Sequence, residues 1–129
     1  MNLNTAMRIS SSGLAAERLR MDVISGNIAN ANSVQTKDRD AYRRRMVELV
    51  GTPQGVRLGR IVQDTGPLRE EVDPSNPNAD QRGIVRYSNV NAVTEMVDML
   101  GASRAYEANV AAFNSAKSMI RNALNIGKV

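Results

Sequence analysis

Apolar residues recur with one spacing near both ends of this chain and with another in its middle. From about residue 4 to 30 and from about 89 to 126 they return every three or four positions, which predicts two amphipathic helices. Between residues 36 and 87, a stretch that holds all 4 Pro residues, shorter alternating runs predict strands and turns. The fold class we predict is mainly α: long N- and C-terminal helices forming a coiled-coil-like pair, with a small β-hairpin and strand insert between them.

Each predicted helix carries a seam of apolar residues that are seven positions apart, a spacing typical of coiled coils. The seam runs from Met7 to Ile28 in the first helix and from Met99 to Ile120 in the second. Further apolar residues lie on other sides of both helices, so each helix needs more than one neighbour. The residues that we expect to pack against other subunits are Leu3, Met7, Leu14, Met21, Ile24, Ile28, Met96, Met99, Tyr106, Val110, Phe113, Ile120 and Leu124.

A chain of 129 residues is short enough to be one structural unit, which we divide into three segments. Residues 1–32 are predicted to form the N-terminal helix, 33–88 a small β-rich and loop region, and 89–129 the C-terminal helix. In the middle region we expect strands at 42–50, 56–63 and 84–87, a turn at 52–55 and an extended loop at 73–78. Asn89 or Asn91 is expected to cap the second helix, and Gly127 to follow its end.

The apolar stripes of the two helices exceed what the helices can cover by pairing within one chain. Ordering a long helix costs backbone entropy, which only burial of its stripes offsets. We therefore expect both ends of the isolated protein to be poorly ordered and to become helical on assembly.

The composition excludes several kinds of chemistry. The chain has no Cys and no His, which removes disulfides, thiol nucleophiles, the usual zinc and haem ligands, and the commonest general base. The carboxylate pairs at 38/40 and 70/71 lack metal-loop spacing, and the glycines at 51, 55 and 59 lack the ending of a phosphate loop. We expect no enzymatic activity, no cofactor, no metal and no small-molecule substrate.

Charge leaves one alternative open. Seventeen Lys and Arg face thirteen Asp and Glu, a net charge of +4, and Arg43, Arg44 and Arg45 form the one basic cluster. A small basic nucleic-acid-binding protein is therefore the alternative from another functional class, but only Tyr42 is near for base stacking, and we expect no nucleic-acid partner. No run of about 18 apolar residues predicts a transmembrane segment, and the N-terminus lacks the features of a cleaved signal peptide.

Asparagines cluster where the first helix is predicted to end, at Asn27, Asn30 and Asn32. Because Asn tolerates the left-handed backbone that ends helices, helix termination explains one of the three. We expect the side chains of Asn27 and Asn30 to form hydrogen bonds that fix the direction in which the chain leaves the helix.

These residues belong to a recognisable pattern. Residues 25–32 (SGNIANAN), Thr36 and 42–44 (YRR) resemble the N-terminal signature of flagellar rod and hook proteins. Residues 89–91 (NVN), 95–99 (EMVDM) and 102–109 (ASRAYEAN) resemble the C-terminal signature of the same family. The short length, residues 73–80 and Gly83 look like the C-type proximal rod proteins, whereas Ala41 and Ile84 depart from that pattern.

The resemblance implies a structural subunit of the bacterial flagellar basal-body rod. Such subunits are exported through the flagellar type III apparatus without a cleaved signal and assemble in the periplasm, where their terminal, axial helices form a tube that transmits torque and conducts exported subunits. The implied partners are other rod subunits, further copies of this chain, the junction with the membrane ring and the export apparatus. Arg104 and Glu107 are expected to pair with charges on neighbouring subunits. Another rod or hook position is the alternative within the family.

Overall fold

A computed structural model describes residues 2–128; Met1 and Val129, the outermost residues of the two predicted helical segments, lie outside the described residues. The elements in chain order are helix α1 (Leu3–Ala29), strands β1 (Arg45–Thr52), β2 (Gly55–Gln63), β3 (Arg69–Val72) and β4 (Ile84–Tyr87), and helix α2 (Ala92–Ile126). The helices contain 27 and 35 residues. The two long terminal helices and the antiparallel strands between them are confirmed, while coiled-coil pairing of the helices stays a prediction.

Of the two caps predicted for helix α2, Asn91 is used and Asn89 is not, so the helix begins at Ala92, three residues after the start of the predicted 89–129 segment. The Asn91 Oδ1 accepts hydrogen bonds from the backbone N–H groups of Val93 (3.0 Å) and Thr94 (3.2 Å). These bonds satisfy two of the N–H groups that a helix leaves unpaired at its start. The Asn89 side chain instead forms hydrogen bonds with the backbone of Arg44, Asp64 and Gly66.

The strands form two separate pairs, β1 with β2 and β3 with β4. In the second pair Arg69 lies opposite Tyr87 and Val72 opposite Ile84, in antiparallel register. The hairpin and β4 are confirmed, but β3 is missing from the sequence prediction. All four of its residues are exposed and three are charged, so β3 lacks the apolar alternation by which strands are recognised.

The segment between β3 and β4 folds into turns, and the prediction of an extended loop there was wrong. The backbone N–H of Asn76 bonds to the carbonyl of Asp73 (3.1 Å), and Gly83 adopts a φ of +77°. The Asp80 Oδ1 accepts the N–H groups of Ile84 (3.0 Å) and Arg82 (2.8 Å), and these bonds lower the pKa of the Asp80 carboxyl. The Pro residues do not keep this segment extended, because Asp and Asn side chains and carbonyls close successive turns.

Contacts divide residues 2–128 into two compact units. The first unit contains the residues up to Met21, Val47–Arg60, and the residues from Leu100 onward. Small side chains are buried there: a methyl group added to Gly13 would lie 2.8 Å from the side chain of Asn109, and Ala102 is fully buried. Such residues let helices approach closely.

The second unit contains Asp22–Met46 and Ile61–Met99. Among residues 2–128, the largest fully buried side chains all lie in this unit, and three of the four are polar: Glu95, Asn27 and Ser88, with Val85 as the apolar exception. Buried polar groups are rare unless they are hydrogen-bonded, so each of these three polar side chains is expected to have hydrogen-bond partners.

Among residues 2–128, no helix has the length and apolarity needed to cross a membrane.

Candidate assembly surfaces and a buried polar cluster

Asn27, near the end of α1, pairs with the backbone of β1. Its Oδ1 accepts the N–H of Arg45 (3.0 Å), and its Nδ2 donates to the carbonyl of the same residue (2.8 Å). The side-chain amide thus makes the two bonds that a neighbouring strand would make with the first residue of β1. This contact places the last turn of α1 against the start of β1.

The same amide also joins two further side chains. Its Oδ1 accepts the hydroxyl of Tyr42 (2.9 Å), and its Nδ2 donates to Oε2 of Glu95 (3.0 Å). Both lone pairs and both N–H bonds of the Asn27 side chain are therefore used. Burial raises the pKa of Tyr42, with the Arg45 charge opposing it, so the hydroxyl remains a donor at neutral pH.

Glu95, in the first turns of α2, is completely buried and carries its charge against Arg44. Its Oε1 accepts a hydrogen bond from Nε of Arg44, and the guanidinium also reaches Asp98 Oδ2 at 3.3 Å. The hydrogen bond to Glu95 raises the pKa of Arg44, against the opposing effect of burial. A carboxylate at this depth is stable only with such a partner. We call Asn27, Tyr42, Arg44 and Glu95 the polar cluster.

Asn89 holds the backbone of the cluster from the other side. Its Oδ1 accepts the N–H of Arg44 (2.7 Å), and its Nδ2 donates to the carbonyls of Asp64 (3.2 Å) and Gly66 (3.3 Å). Residues 42–45 are therefore fixed by side chains on both sides, which explains why β1 begins at Arg45 and not at the predicted residue 42.

The three consecutive arginines do not form one basic surface. Arg44 points to Glu95, Arg43 donates to the carbonyl of Gly66 (2.8 Å), and the guanidinium of Arg45 lies 5.5 Å from the ring centre of Tyr42. Their charges are thus directed to three different places within the second unit.

The sequence predicted side-chain hydrogen bonds for Asn27, which the structure shows, but it predicted no such contacts for Tyr42, Arg44, Asn89 and Glu95. One signal was available for Glu95: it lies seven positions before Ala102, so it falls on the side of the predicted helix that carries this small residue. No local signal reveals the partners of Glu95, because they come from residues 51 and 68 positions away.

Asn30, the second predicted positioning residue, lies apart from the polar cluster. It is exposed, and its Nδ2 donates to the carbonyl of Gly26 (2.8 Å), four residues earlier in α1. The same carbonyl also accepts the backbone N–H of Asn30 (3.2 Å), so this side-chain bond reinforces the last turn of α1.

The predicted packing residues are covered to different extents in the single chain. Ile24 is buried, whereas Met96 and Leu124 are 54% and 64% exposed. The others are half-buried: Leu3, Met7, Leu14, Met21, Ile28, Met99, Tyr106, Val110, Phe113 and Ile120. Arg104 and Glu107 are both exposed.

Exposed apolar side chains lie near both ends of α2. Near its start, Val93, Met96 and Val97 are each more than half exposed; we call them the proximal face. Glu95 and Asp98, the only charged residues between 91 and 99, both contact Arg44, so this face is uncharged. Near the other end of the helix, Met119, Leu124 and Ile126 are also more than half exposed, with Leu124 on a different side of α2 from the other two; we call this exposed end the distal face.

Within residues 2–128, no group of three or more acidic side chains is placed to hold a metal ion. The arrangement can bury apolar surface against other helices and can hold the ends of α1 and α2 in fixed directions.

Comparison with known proteins gives matches at both ends and over the full length. A family model described as "Flagella basal body rod protein" matches residues 7–35, and one described as "Flagellar basal body rod FlgEFG protein C-terminal" matches residues 81–126. These two regions contain Asn27 and Glu95 of the polar cluster, respectively.

Three curated relatives share the name "Flagellar basal-body rod protein FlgC". The protein of Borreliella burgdorferi is 42% identical, with 98% of each chain covered. That of Yersinia enterocolitica is 38% identical over 99% of this chain and 100% of the relative, and that of Bacillus subtilis is 35% identical over 95% and 97%.

Proposed function

The chain belongs to the FlgC family of flagellar basal-body rod proteins and is a structural, non-enzymatic subunit of the rod; from this premise we propose that it builds the proximal rod by packing its two terminal helices against neighbouring subunits. The neighbours are further copies of this chain and other rod subunits. The resulting tube transmits motor torque to the hook and filament, and conducts exported subunits through its centre.

The exposed apolar side chains of α2 carry this proposal. Six residues on the proximal and distal faces are more than half exposed: Val93, Met96, Val97, Met119, Leu124 and Ile126. Full burial of a side chain of this kind stabilises by about 1.5–3 kcal/mol. Val93, Met96 and Val97 lie on one side of the helix, and such contiguous apolar surface is typical of an interaction site that another helix covers.

The half-buried seams support the same assembly. Met7, Leu14, Met99 and Phe113 lie on seams of seven-residue spacing and retain exposed surface in the single chain. We propose that coiled-coil-like packing completes their burial in the rod. If each copy presents one surface to the next and a different surface to the previous one, the contacts do not close and a helical filament results.

Location and export follow from the family resemblance. We propose that the subunit crosses the inner membrane through the flagellar type III apparatus without signal-peptide cleavage, and lies where the rod crosses the periplasm and joins the membrane ring. The mass of the protein recovered from basal bodies tests the cleavage: an intact N-terminus is expected, and a shortened one would contradict it.

Substitutions on exposed residues test the assembly directly. Met96→Lys and Leu124→Lys place a charge on the proximal and distal faces, where the single chain buries little. We expect each variant to melt like the wild-type monomer and to leave a deletion strain non-motile, with basal bodies that lack a complete rod. Phe113→Asp is expected to abolish motility as well, but its side chain is half-buried and a folding defect could contribute.

Val72→Lys is the matched control, because Val72 is 78% exposed but lies on β3 and not on a helix. It is expected to restore swimming fully. Normal rods in a Met96→Lys, Leu124→Lys double variant would contradict packing through these faces. Co-purification of the wild-type chain with neighbouring rod subunits distinguishes the proximal rod from another axial position.

A further inference from the structure

We propose that Arg44 and Glu95 are positioning residues for rod assembly: together with Asn27 and Tyr42, they set the direction in which the chain leaves α1 and the rotation with which it enters α2. This inference rests on the proposed function and deepens it, because it names the residues that orient the packing surfaces. Stability alone does not explain such a cluster, since a buried ion pair contributes little net stability compared with apolar residues of similar volume.

The cluster joins segments that are far apart in sequence. The hydrogen bond from Asn27 to Glu95 spans 68 residues, and that from Arg44 to Glu95 spans 51. Glu95 and Asn27 are also among the largest fully buried side chains of the second unit. Apolar contacts are non-directional, so elements packed only through them can slide or rotate against each other. Hydrogen bonds require defined distances and angles.

Rotation of α2 would break every bond of Glu95 at once. Its Oε1 is paired with Arg44 and its Oε2 with Asn27, and the side chain is 1% exposed, so water cannot replace either partner. A shift by one residue turns a helix by about 100° and would replace the carboxylate at this point with a neighbouring side chain. One rotational setting of α2 is therefore strongly preferred.

This setting determines which side of α2 faces outward. Val93, Met96 and Val97 lie on the turns that carry Glu95, and all three are exposed while Glu95 is buried. By fixing Glu95 inward, the cluster orients the proximal face outward and keeps Asp98, held by Arg44, away from it. A subunit that assembles through this face requires it at a constant angle.

The test compares removal of one charge with removal of both. Arg44→Met leaves the buried Glu95 carboxylate without a cation, and we expect the melting temperature of the monomer to fall by roughly 10 °C, whereas Glu95→Met leaves Arg44 paired with Asp98 and is expected to lower it less. The double variant Arg44→Met, Glu95→Met leaves no buried charge unpaired, because Asp98 is partly exposed, and its melting temperature is expected to recover most of the loss, remaining below the wild-type value because the Asn27 amide lacks one acceptor. Swimming of a deletion strain is expected to be lost in all three.

The exposed ion pair between Arg60 and Glu48 provides a matched control, because it joins the same residue types at 2.7 Å on the surface of the hairpin. The double variant Arg60→Met, Glu48→Met is expected to melt and swim like the wild type. The experiment starts from a deletion strain that is non-motile and is rescued by the wild-type gene. A deletion strain that swims would refute the proposed function. The melting, swimming and distance measurements on the variants test the positioning role alone.

A distance measurement reads the positioning directly. The chain contains no Cys, so Ser25→Cys and Thr94→Cys introduce the only two thiols, both at exposed positions in the second unit near the ends of α1 and α2. Spin labels on these thiols are expected to give one narrow distance distribution in the otherwise unchanged protein, and a broad or shifted one in the Arg44→Met, Glu95→Met background.

A double methionine variant that melts and swims like the wild type, or that keeps the narrow distance, would overturn the proposal. If that variant does not fold, Glu95→Gln takes its place: the amide has the same size, and Asp98 still pairs with Arg44. In a strain that makes folded Glu95→Gln protein, the number of swimming cells is expected to fall at least about tenfold below the wild-type number. Wild-type swimming by this folded variant would equally refute the positioning role.

Discussion

At the scale of single residues, the side chain of Asn27 illustrates how chemistry and geometry are matched. It needs two acceptor sites and two donors at once, because it pairs with the backbone of Arg45 and with the side chains of Tyr42 and Glu95. Asp has no donor, and Gln places its amide one bond further from the backbone. Asn30, three residues later, makes one local hydrogen bond and is exposed.

We therefore expect Asn27→Asp to destabilise the protein by about 3 kcal/mol or more, because it removes both donors and brings a second carboxylate against buried Glu95. Denaturant unfolding of the monomer at neutral pH measures the change. Asn30→Asp is the control, with an expected cost below about 1 kcal/mol from the adverse charge at the end of the helix. Equal losses in the two variants would contradict the importance of the buried bonds.

Gly83 is a second position at which only one residue type, glycine, fits. Its φ of +77° is left-handed, and a methyl group there would lie 2.9 Å from Cγ of Pro74. We expect Gly83→Ala to cost about 1–2 kcal/mol from the backbone alone, with the contact adding to it. Thermal melting measures the cost, and Gly51→Ala, where no atom lies within 4 Å of the added methyl, is expected to melt at or above the wild-type temperature.

At the scale of elements, α2 has two unlike ends. Its start is capped by Asn91 and anchored through Glu95, whereas residues 121–128 are exposed throughout. Strands differ in the same way: β4 contains buried Val85, while β3 is exposed at all four residues and depends on pairing with β4. The contacts that stabilise α2 therefore lie near its start, and those that stabilise β3 lie along its edge with β4.

The cap of α2 can be tested in isolation. Asn91→Ala removes the acceptor of the Val93 and Thr94 N–H groups and is expected to cost about 1 kcal/mol in unfolding experiments. Asn91→Ser keeps an acceptor at this position and is expected to retain most of the stability. A similar loss in both variants would mean that the Asn91 side chain has a role other than capping.

At the scale of the whole molecule, the two compact units have different centres. The first is built on small buried residues, Ala16, Ala102 and Ala116, and the second on hydrogen-bonded polar groups with Val85 and Ile24. Small residues bury little apolar area, so apolar burial within the chain stabilises the first unit less than larger side chains would. The directional bonds of the second unit are complete within the chain.

Hydrogen exchange of the isolated subunit is expected to reflect this difference. Backbone amides of residues 117–128 should exchange at rates close to those of an unfolded chain, whereas those of residues 44–45 and 95–98 should be protected. In assembled rods the terminal amides should become protected as neighbouring subunits cover them. Strong protection of residues 117–128 in dilute monomer would contradict the expectation that the chain ends order on assembly.

The amino-acid sequence by itself determined the elements whose pattern is local. The period of apolar residues identified both helices, alternation around a Pro-Gln-Gly turn identified the hairpin, and residues 84–87 coincide with β4. The paired terminal motifs identified the rod family before any fold was considered. In each case the information lies within a window shorter than about 20 residues, which is the range over which periodicity acts.

The tertiary structure decided the rest. β3 carries no alternation and is a strand because β4 pairs with it, while α2 starts at Ala92 because Asn89 is engaged by Arg44 and leaves capping to Asn91. Whether Glu95 is a solvated charge or a buried one depends on Arg44 and Asn27, which only folding brings within hydrogen-bonding distance. Burial of a charge is a property of its surroundings, since the free energy of a carboxylate depends on the partners that replace water.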